Sequence, residues 1–534
     1  MPLSRESFKA DQETELTRRA RWMTASLWAL GAMLAVALFV GARLVPAGRP
    51  IIRIDGVDPA CYYNTAHSML FDRDFDLTNQ YGRLWPLSPK FIYVHPKTHR
   101  PTSPFPIGYS ILQMPFLSVG HLLTFAVYGE SDGYSFLCKA AYFTGNIFYL
   151  CVGLTFCFWF LRSAAQTAGA ETRRADWSAW LVVLAIVPGT AVGYYSFSAM
   201  PHVAAFAACS AFLYAWWCAR DSDSVARWAL VGLAAGMVTL CRWQAAIFLV
   251  IPLVYEVGRL VRNPREFFCG SWPRWLVGRV LAAAMLAAVL VPQFVQWKVI
   301  YDSYFTIPQG RGFLKFPPVH LGQVLFSTHH GWFVWTPLTL LGLLGLLWGF
   351  WRRRRAAWVC GPALAALALQ CLLVGCLRYN WHGHHSFSIR MLTSSIPFVA
   401  LGLVMWVVLS GRWVRRLAVV LGVGCAIWSL IFALEFRLDL IPKDGRLTLG
   451  ELVGDKISLR SLWQRSRAAS AAWAALDEDK PQAALETALR ARVRFGVSRD
   501  LLAVLAQAYH RLGRADKESA AREELQKLLD SRLY

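Results

Sequence analysis

Acidic residues crowd into one short stretch of the chain. Five of them lie between residues 55 and 76, namely Asp55, Asp58, Asp72, Asp74 and Asp76. An aspartate can take the proton of a hydroxyl group as that oxygen forms a new bond. Asp58 is the candidate for such a catalytic base, with Asp55 beside it, because Asp58 follows an Asp-Gly turn and precedes a proline, as at a helix start. The alternative is that Asp58 only caps the helix.

The last three of these acids, Asp72, Asp74 and Asp76, form overlapping Asp-x-Asp patterns. Carboxylates at this spacing can bind a divalent cation, Mg²⁺ or Mn²⁺. This cation is the one cofactor that the residues suggest, and a solvated turn is the alternative interpretation.

A second group of residues could hold a phosphate. Arg242 separates two short apolar stretches, and Arg390 opens a longer one. A guanidinium can grip phosphate through two parallel hydrogen bonds. His330 and His202 lie at the starts of apolar stretches, and Lys139 lies about one helical turn inside another. The alternatives are arginines that reach lipid headgroups and, for His202, a buried structural role.

Histidine and cysteine are the other candidate metal ligands. His382, His384 and His385 form a His-x-His-His triplet, whose alternative role is hydrogen bonding to water or lipid headgroups at a membrane rim. The twelve cysteines contain no Cys-x-x-Cys pair. The sequence therefore predicts neither a disulfide framework nor a cysteine metal site.

The elements that must position these residues are apolar helices. Hydrophobic residues make up 56% of the 534 residues and charged residues only 16%, against roughly 25% charged in an ordinary soluble domain. The apolar residues come in blocks of roughly 20, the length that crosses a bilayer. The predicted spans are 22–45, 134–161, 176–197, 201–218, 228–241, 243–256, 278–298, 332–350, 357–377, 391–411 and 417–435.

The position of arginine decides the predicted topology. A further apolar stretch, 104–128, lies at the run PTSPFPIGYS (101–110), which has three prolines and a glycine. If it does not cross the membrane, six basic clusters fall on one side, which is the cytoplasmic side by the positive-inside rule. We therefore predict an interfacial or re-entrant helix at 104–128, a cytoplasmic N-terminus and an external C-terminus. The net charge of +22 then reflects topology, and no nucleic-acid partner is predicted.

The sequence thus predicts an all-α integral membrane protein with about eleven transmembrane helices, interfacial helices in the first outer loop and a small C-terminal helical domain. The run from Leu505 to Gly513 resembles a tetratricopeptide helix pair, with a plain helical hairpin as the alternative. This domain is a candidate binding site for a protein partner. The predicted domains are a cytoplasmic segment (1–21), a transmembrane domain (22–436, with the first outer loop at 46–133), a linker (437–464) and the helical domain (465–534).

Several motifs in order along the chain resemble one family. They are Asp58-Pro59 with Tyr62, SMLFDRDFDLTNQY (68–81), FPIGYSILQMPF (105–116), CRWQAAIF (241–248), STHHGWFVWTP (327–337) and HSFSIRMLTSSIPFVALG (385–402). Together they resemble the GT-C superfamily of polyprenyl-phosphate-sugar-dependent glycosyltransferases. The likeness is greatest to the bacterial branch related to protein mannosyltransferases and to the aminoarabinose transferases of lipid A.

The resemblance implies an inverting glycosyltransferase of the bacterial inner (plasma) membrane. Its donor would be a polyprenyl-phosphate sugar, its acceptor a hydroxyl group of a glycan, lipid or protein at the outer face, and its base Asp58. Many relatives have two adjacent acids there, whereas this chain has Val57 before Asp58.

Two alternatives belong to other functional classes. A transporter or lipid flippase would show internal repeats and charged, broken elements near the bilayer midplane. A non-catalytic envelope assembly protein would use the C-terminal domain as its binding module.

Overall fold

The structure is a computed structural model. It describes residues 5–44, 52, 54, 56–84, 92–262, 272–310, 312–318, 320–378, 380–438, 441, 443, 445–448, 450–454, 459–495 and 499–530. Over these ranges the chain is helical, with two isolated β-bridges and no longer strand. Asp55 lies outside the described residues.

The helices follow the apolar blocks of the sequence. They are α1 (Arg5–Leu44), α2 (Val57–His67), α3 (Thr78–Leu84), α4 (Gly108–Tyr128), α5 (Phe136–Thr167), α6 (Thr172–Gly189), α7 (Ala191–Tyr195), α8 (His202–Ala219), α9 (Val225–Cys241), α10 (Val250–Arg262), α11 (Trp272–Tyr301), α12 (Leu321–Phe326), α13 (Trp332–Trp335), α14 (Leu338–Arg352), α15 (Arg354–Gly375), α16 (Ile396–Leu409), α17 (Arg412–Arg437), α18 (Leu459–Asp477), α19 (Pro481–Phe495), α20 (Arg499–Arg511) and α21 (Ala515–Asp530). Turns of 3₁₀ helix at Trp243–Leu249 and Arg390–Ser395 lead into α10 and α16.

Nine helices in the described ranges are long and apolar enough to cross a membrane. They are Arg18–Val40, Gly108–Tyr128, Phe136–Thr167, His202–Ala219, Trp243–Arg262, Pro273–Tyr301, Arg354–Gly375, Arg390–Leu409 and Arg412–Arg437. The shorter apolar helices α9 and α14 coincide with two further predicted spans. This confirms the all-α, multi-spanning fold, and α4 is long enough to cross as well.

One predicted span, 176–197, is broken in the structure. Helix α6 ends at Gly189, and α7 starts again at Ala191. Pro188 lies in the last turn of α6, and the Thr190 hydroxyl accepts the backbone N–H of Val192 at 3.3 Å. The helix breaks here because the Thr190 hydroxyl, two residues after Pro188, accepts a backbone N–H in place of a helical carbonyl oxygen.

The described chain forms two compact units. The first comprises Met1–Leu321, Leu338–Tyr379 and Met391–Ala426, and the second comprises Gly322–Pro337, Asn380–Arg390 and Ile427–Tyr534.

Close backbone approach holds the helices of the first unit together. Where α14 meets α16, a Cβ atom built on Gly402 would lie 1.8 Å from the carbonyl oxygen of Gly342. Glycine at both positions lets the two backbones touch, which is how apolar helices pack tightly where lipid removes the hydrophobic driving force.

Several arginines of the basic clusters in this unit lie on tryptophan faces. The guanidinium carbon of Arg220 lies 3.5 Å from the centre of the Trp217 ring, and that of Arg262 lies 3.6 Å from the Trp358 ring. Such cation–π contacts suit arginines that anchor helix ends at a membrane interface.

The second unit contains an aromatic cluster and the C-terminal helices. The Trp335 ring stacks on Phe432 at 5.0 Å and meets Phe387 edge-on at 5.7 Å. Helices α18 to α21 pack on one another around their own core, which includes Ala472, Leu485 and Leu505. The first of these helices begins at Leu459, and the predicted domain boundary at 465 and the tetratricopeptide character stay predictions.

Candidate functional site

Asp58 lies in the first turn of α2, a helix that is otherwise almost completely buried. The N-cap residue is Gly56 (φ +87°), so Asp58 is not the capping residue. The Asp58 side chain is half-buried, and its negative charge adds to the burial that raises the pKa of the neighbouring Cys61 thiol. A negative charge in the first turn of a helix interacts favourably with the helix dipole.

The first turn of α4 joins the helix of Asp58 to another part of the first unit. The Ser110 hydroxyl donates a 2.8 Å hydrogen bond to the carbonyl oxygen of Tyr62, one turn after Asp58. The Tyr62 ring also packs on Tyr109 edge-on, with ring centres 5.3 Å apart. The start of α4 and the start of α2 are therefore held together.

The same turn of α4 touches the end of α9. A Cβ atom built on Gly108 would lie 2.5 Å from the carbonyl carbon of Leu240 and 2.6 Å from the backbone nitrogen of Cys241. Arg242 follows directly, in an extended conformation (φ −153°, ψ 111°) between α9 and the 3₁₀ turn. Residue 108 must be glycine for this approach. We call this meeting of α2, α4 and α9 the α4 junction.

The acidic loop after α2 reaches the α4 junction through one aromatic side chain. Phe75 packs against the cluster of Ile107 and Leu240, and Trp243 packs against the same cluster. Trp243 in turn stacks on Trp297 of α11, with ring centres 5.1 Å apart. The loop that carries Asp72 to Asp76 and the break that carries Arg242 thus share one packed corner.

The three carboxylates of the acidic loop have separate hydrogen-bond partners. Asp72 accepts hydrogen bonds from the Asn79 and Gln80 side chains. Asp74 Oδ1 accepts the Ser68 hydroxyl at 2.7 Å and the backbone N–H of Asp76 at 3.0 Å.

Asp76 completes the loop. Its Oδ1 accepts the Thr78 hydroxyl at 2.6 Å, and its Oδ2 lies 3.5 Å from Arg100 Nε. These bonds shape the loop, and the cation site predicted at the three acids stays a prediction.

Two predicted phosphate-binding residues of the first unit lie apart from Arg242. Lys139 follows Cys138, whose Cα would lie 2.6 Å from a Cβ built on Gly120. Gly120 is twelve residues along α4 from Gly108, which is about 18 Å at 1.5 Å per residue. The structure therefore does not bring Lys139 to the α4 junction.

His202 is buried at the start of α8, with its ring centre 4.4 Å from that of Tyr195. The segment before it is tied to α4 by Asn146, whose side-chain nitrogen donates to the carbonyl oxygen of Ser198. The Asn146 side-chain oxygen accepts the Tyr109 hydroxyl at 3.1 Å. Hydrogen bonds through Asn146 thus link the segment that precedes His202 to Tyr109, in the first turn of α4.

Sequence reasoning did not single out Asn64, which lies on the buried part of α2. Its side chain is fully buried, and among the described residues neither of its polar atoms has a hydrogen-bond partner. Burying an amide without a partner is costly. Asn64 lies on the same helix as Asp58, so it is a candidate ligand contact. Only its burial, which the sequence does not reveal, marks it out.

His330 and Arg390 belong to the second unit. His330 is fully buried, and its Nδ1 donates a 2.9 Å hydrogen bond to the carbonyl oxygen of His382. Arg390 is half-buried at the end of the same loop, where a Cβ built on Gly383 would lie 3.3 Å from its Nε. The second unit therefore brings His330 and Arg390 onto two segments that touch.

The histidine triplet of the sequence is divided in the structure. His384 and His385 are exposed. His382 instead groups with His329 and His330, so that one ligand atom from each lies within 4.8 Å of the others. The pairing of residues 329–330 with 382 crosses about 50 residues and has no local sequence signal.

No family model and no curated protein matches the sequence. Among solved structures, the chain is similar to the crystal structure of ArnT from Cupriavidus metallidurans bound to undecaprenyl phosphate, with a TM-score of 0.45 and 14% sequence identity. The likeness covers 91% of this chain and 77% of that one. At this identity and TM-score it decides neither the family nor the activity, so a function must be argued from the residues of this chain.

Proposed function

We propose that this protein is a membrane glycosyltransferase that moves a sugar from a polyprenyl-phosphate donor to a hydroxyl acceptor at the outer face of the membrane. The observation that carries the proposal is the α4 junction. There, one helical turn touches both the helix that carries Asp58 in its first turn and the helix that ends just before Arg242. A carboxylate and a guanidinium are the two groups that transfer from a phosphate donor needs.

The proposed reaction is a single displacement with inversion. The acceptor oxygen attacks the anomeric carbon, and the bond from that carbon to the phosphate oxygen breaks. Asp58 takes the acceptor proton as the new bond forms. The lipid phosphate leaves with the bonding electron pair, and Arg242 stabilises its charge through hydrogen bonds that strengthen as the charge develops.

The parts of the other predicted residues in this reaction depend on how near they lie to the α4 junction. His202 follows the segment that Asn146 links to α4 and is proposed to support the phosphate side of the site. The roles of Arg390 and His330 as phosphate ligands stay predictions within the second unit. Lys139 of α5 lies beside Gly120, too far from Gly108 for a part in this step, and Asp55 lies outside the described residues.

The donor lipid fits the exposed surface of α4 that leads away from the α4 junction. Apolar side chains such as Leu122, Leu123 and Phe125 of α4 are exposed, and exposed apolar side chains of this extent suit contact with acyl chains. A polyprenyl chain lying along such a surface would bring its phosphate to the helix ends, where Arg242 lies.

The test compares cells that lack this protein with cells that produce the wild type, Asp58→Asn or Asp302→Asn. Asp302 is a matched control because it is a half-exposed aspartate paired with Lys298 at 2.5 Å. Glycans and lipids are profiled by mass spectrometry, and protein amounts by immunoblot. We expect one sugar modification to be restored by the wild type and by Asp302→Asn, and not by Asp58→Asn.

Removing a general base lowers the rate by about a hundredfold to ten-thousandfold. Full restoration by an Asp58→Asn protein present at wild-type amounts would remove Asp58 from the mechanism. An unchanged glycan and lipid profile in the deletion strain, with altered transport of a lipid across the membrane, would instead favour a flippase.

A further inference from the structure

Three histidines from two separate segments of the second unit form one compact cluster. His329 and His330 precede α13, and His382 lies in the loop before the 3₁₀ turn at Arg390. The ring centres of His329 and His382 are 4.3 Å apart, and those of His329 and His330 are 4.7 Å apart. One nitrogen from each ring lies within 4.8 Å of the other two.

We propose that His329, His330 and His382 bind a transition-metal ion of the zinc class. The proposal does not depend on the proposed transferase activity. Zinc binds imidazole nitrogen at about 2.0–2.1 Å, which places two tetrahedral ligands about 3.4 Å apart. The cluster therefore needs only a small contraction to enclose an ion. Three imidazoles without a carboxylate select Zn²⁺, Co²⁺ or Ni²⁺ over Mg²⁺ and Ca²⁺.

The orientation of His330 suits a metal ligand. Its Nδ1 faces the carbonyl oxygen of His382 at 2.9 Å. A carbonyl oxygen only accepts hydrogen bonds, so Nδ1 carries the hydrogen and Nε2 is the atom able to coordinate. Metal-binding histidines usually make such a bond from their other ring nitrogen. His330 is also fully buried, which fixes its ring.

Backbone hydrogen bonds hold the rings of the other two histidines. The backbone N–H of Gly445 donates to His329 Nε2 at 3.1 Å, and the backbone N–H of His384 donates to His382 Nδ1 at 3.1 Å. A ring nitrogen that accepts a hydrogen bond is unprotonated. Such a nitrogen has a lone pair that can bind a metal and no hydrogen to donate to a phosphate oxygen. The geometry therefore favours a metal over a phosphate, and each of these two rings would exchange its backbone hydrogen bond for a bond to the metal.

Hydrogen bonds outside the cluster hold its two segments in register. The Trp335 indole N–H donates to the carbonyl oxygen of Thr328 at 2.9 Å. The hydroxyl oxygens of Thr336 and Ser388 lie 3.2 Å apart, across the two segments. The Ser386 hydroxyl donates at 3.0 Å to the His382 carbonyl oxygen that also accepts from His330. The histidines thus rest on a supporting shell that would exist before metal arrives.

The experiment uses the full chain in detergent, purified through a tag without histidine and stripped with a chelating resin. Zn²⁺ is then titrated by calorimetry, bound zinc is counted by mass spectrometry, and Co²⁺ is added to read its visible absorption. We expect about one ion per chain, a Co²⁺ spectrum of low coordination number and an increase in thermal stability with added zinc.

The variants are His329→Asn and His382→Gln, with His385→Gln as the control. His385 is an exposed histidine three residues from His382 that lies outside the cluster. His329 and His382 are half-buried, so these changes leave the buried His330 in place. We expect each cluster variant to lose zinc affinity by more than tenfold, while the control keeps the wild-type affinity.

Two results would overturn the proposal. The first is a wild-type chain that takes up less than about a tenth of an equivalent of Zn²⁺ and Co²⁺ at micromolar concentrations. The second is a zinc affinity that falls equally in His385→Gln and in the cluster variants. Thermal unfolding of each variant without metal shows that it is folded. Because the readout is metal content, failure here would leave the glycosyltransferase proposal intact, and the reverse also holds.

Discussion

The Ser110 hydroxyl of α4 donates a hydrogen bond to the carbonyl oxygen of Tyr62 in α2, and both groups are buried. This bond crosses 48 residues of sequence. It holds the helix that carries Asp58 in its first turn against the turn that also touches the end of α9.

Arg242 is expected to hold the donor phosphate. Replacing it by glutamine removes a charge-assisted hydrogen bond, which is worth about 1.5–3 kcal/mol. The Kd for undecaprenyl phosphate, measured with the full chain in lipid nanodiscs, should rise about tenfold to hundredfold. Arg242→Lys should raise the Kd by less, because the charge stays. It should still raise the Kd, because the two parallel hydrogen bonds of a guanidinium are lost.

Arg83→Gln is the control for Arg242. Arg83 forms an exposed pair with Asp132 at 2.5 Å, and exposed pairs contribute little. An Arg242→Gln chain that binds undecaprenyl phosphate as tightly as the Arg83→Gln chain would mean that Arg242 does not contact the donor.

Gly108→Ala should weaken the α4 junction. The added Cβ would lie 2.5 Å from a backbone carbon of α9, and backbone can move only by shifting a helix. We expect a loss of about 2 kcal/mol in the free energy of unfolding, as for overpacking in a core. Sugar transfer should also fall, because α2 and α9 would no longer meet α4 in the same way.

Gly82→Ala provides the comparison for Gly108→Ala. Gly82 is also helical, and no atom lies within 4 Å of a Cβ built there. Alanine should be neutral or slightly stabilising at this position, because it favours a helix over glycine. Equal melting temperatures for the two variants would show that the approach at Gly108 is unimportant.

His67 should make the stability of the first unit depend on pH. Its ring lies between Phe71 and Tyr134, with both ring centres 4.4 Å away, and burial lowers its pKa. The unfolded state therefore takes up a proton first, as pH falls below about 6.5. Above that pH the free energy of unfolding should keep its highest value. It should decrease as the pH falls from about 6.5 to the lowered pKa of His67 in the folded protein.

Thermal unfolding at pH 7.5 and pH 5.5 measures this effect. His67→Gln should show a smaller difference between the two temperatures than the wild type, because the variant lacks the titrating group. His385→Gln, at an exposed position, should keep the wild-type difference. If His67→Gln and the wild type lose stability equally, the effect arises elsewhere.

The C-terminal helices should be separable from transfer. Helices α18 to α21 have their own core, so a chain that ends before residue 459 should still restore the sugar modification in cells. A reduced native mass of the complex extracted from the membrane would then identify the helices as a binding module. Loss of transfer by a truncated chain present at normal amounts would show that they belong to the catalytic machinery.

The amino-acid sequence alone determined the membrane fold. Apolar block length is a local property, because each block must satisfy its own backbone in lipid by forming a helix. The predicted blocks therefore fall on helices such as α5 and α11. The sequence did not determine where 176–197 would break. Thr190 and Pro188 lie within a long apolar run, and neither residue by itself marks the end of a helix there.

Only the tertiary structure decided which polar residues meet. Arg242 and Lys139 look alike as isolated basic residues beside apolar helices, yet only Arg242 follows the contact between α9 and Gly108. His382 groups with His329 and His330 rather than with its own neighbours in the chain. These meetings depend on which helix surfaces pack together, and a contact between distant segments leaves no periodic or compositional trace along either of them.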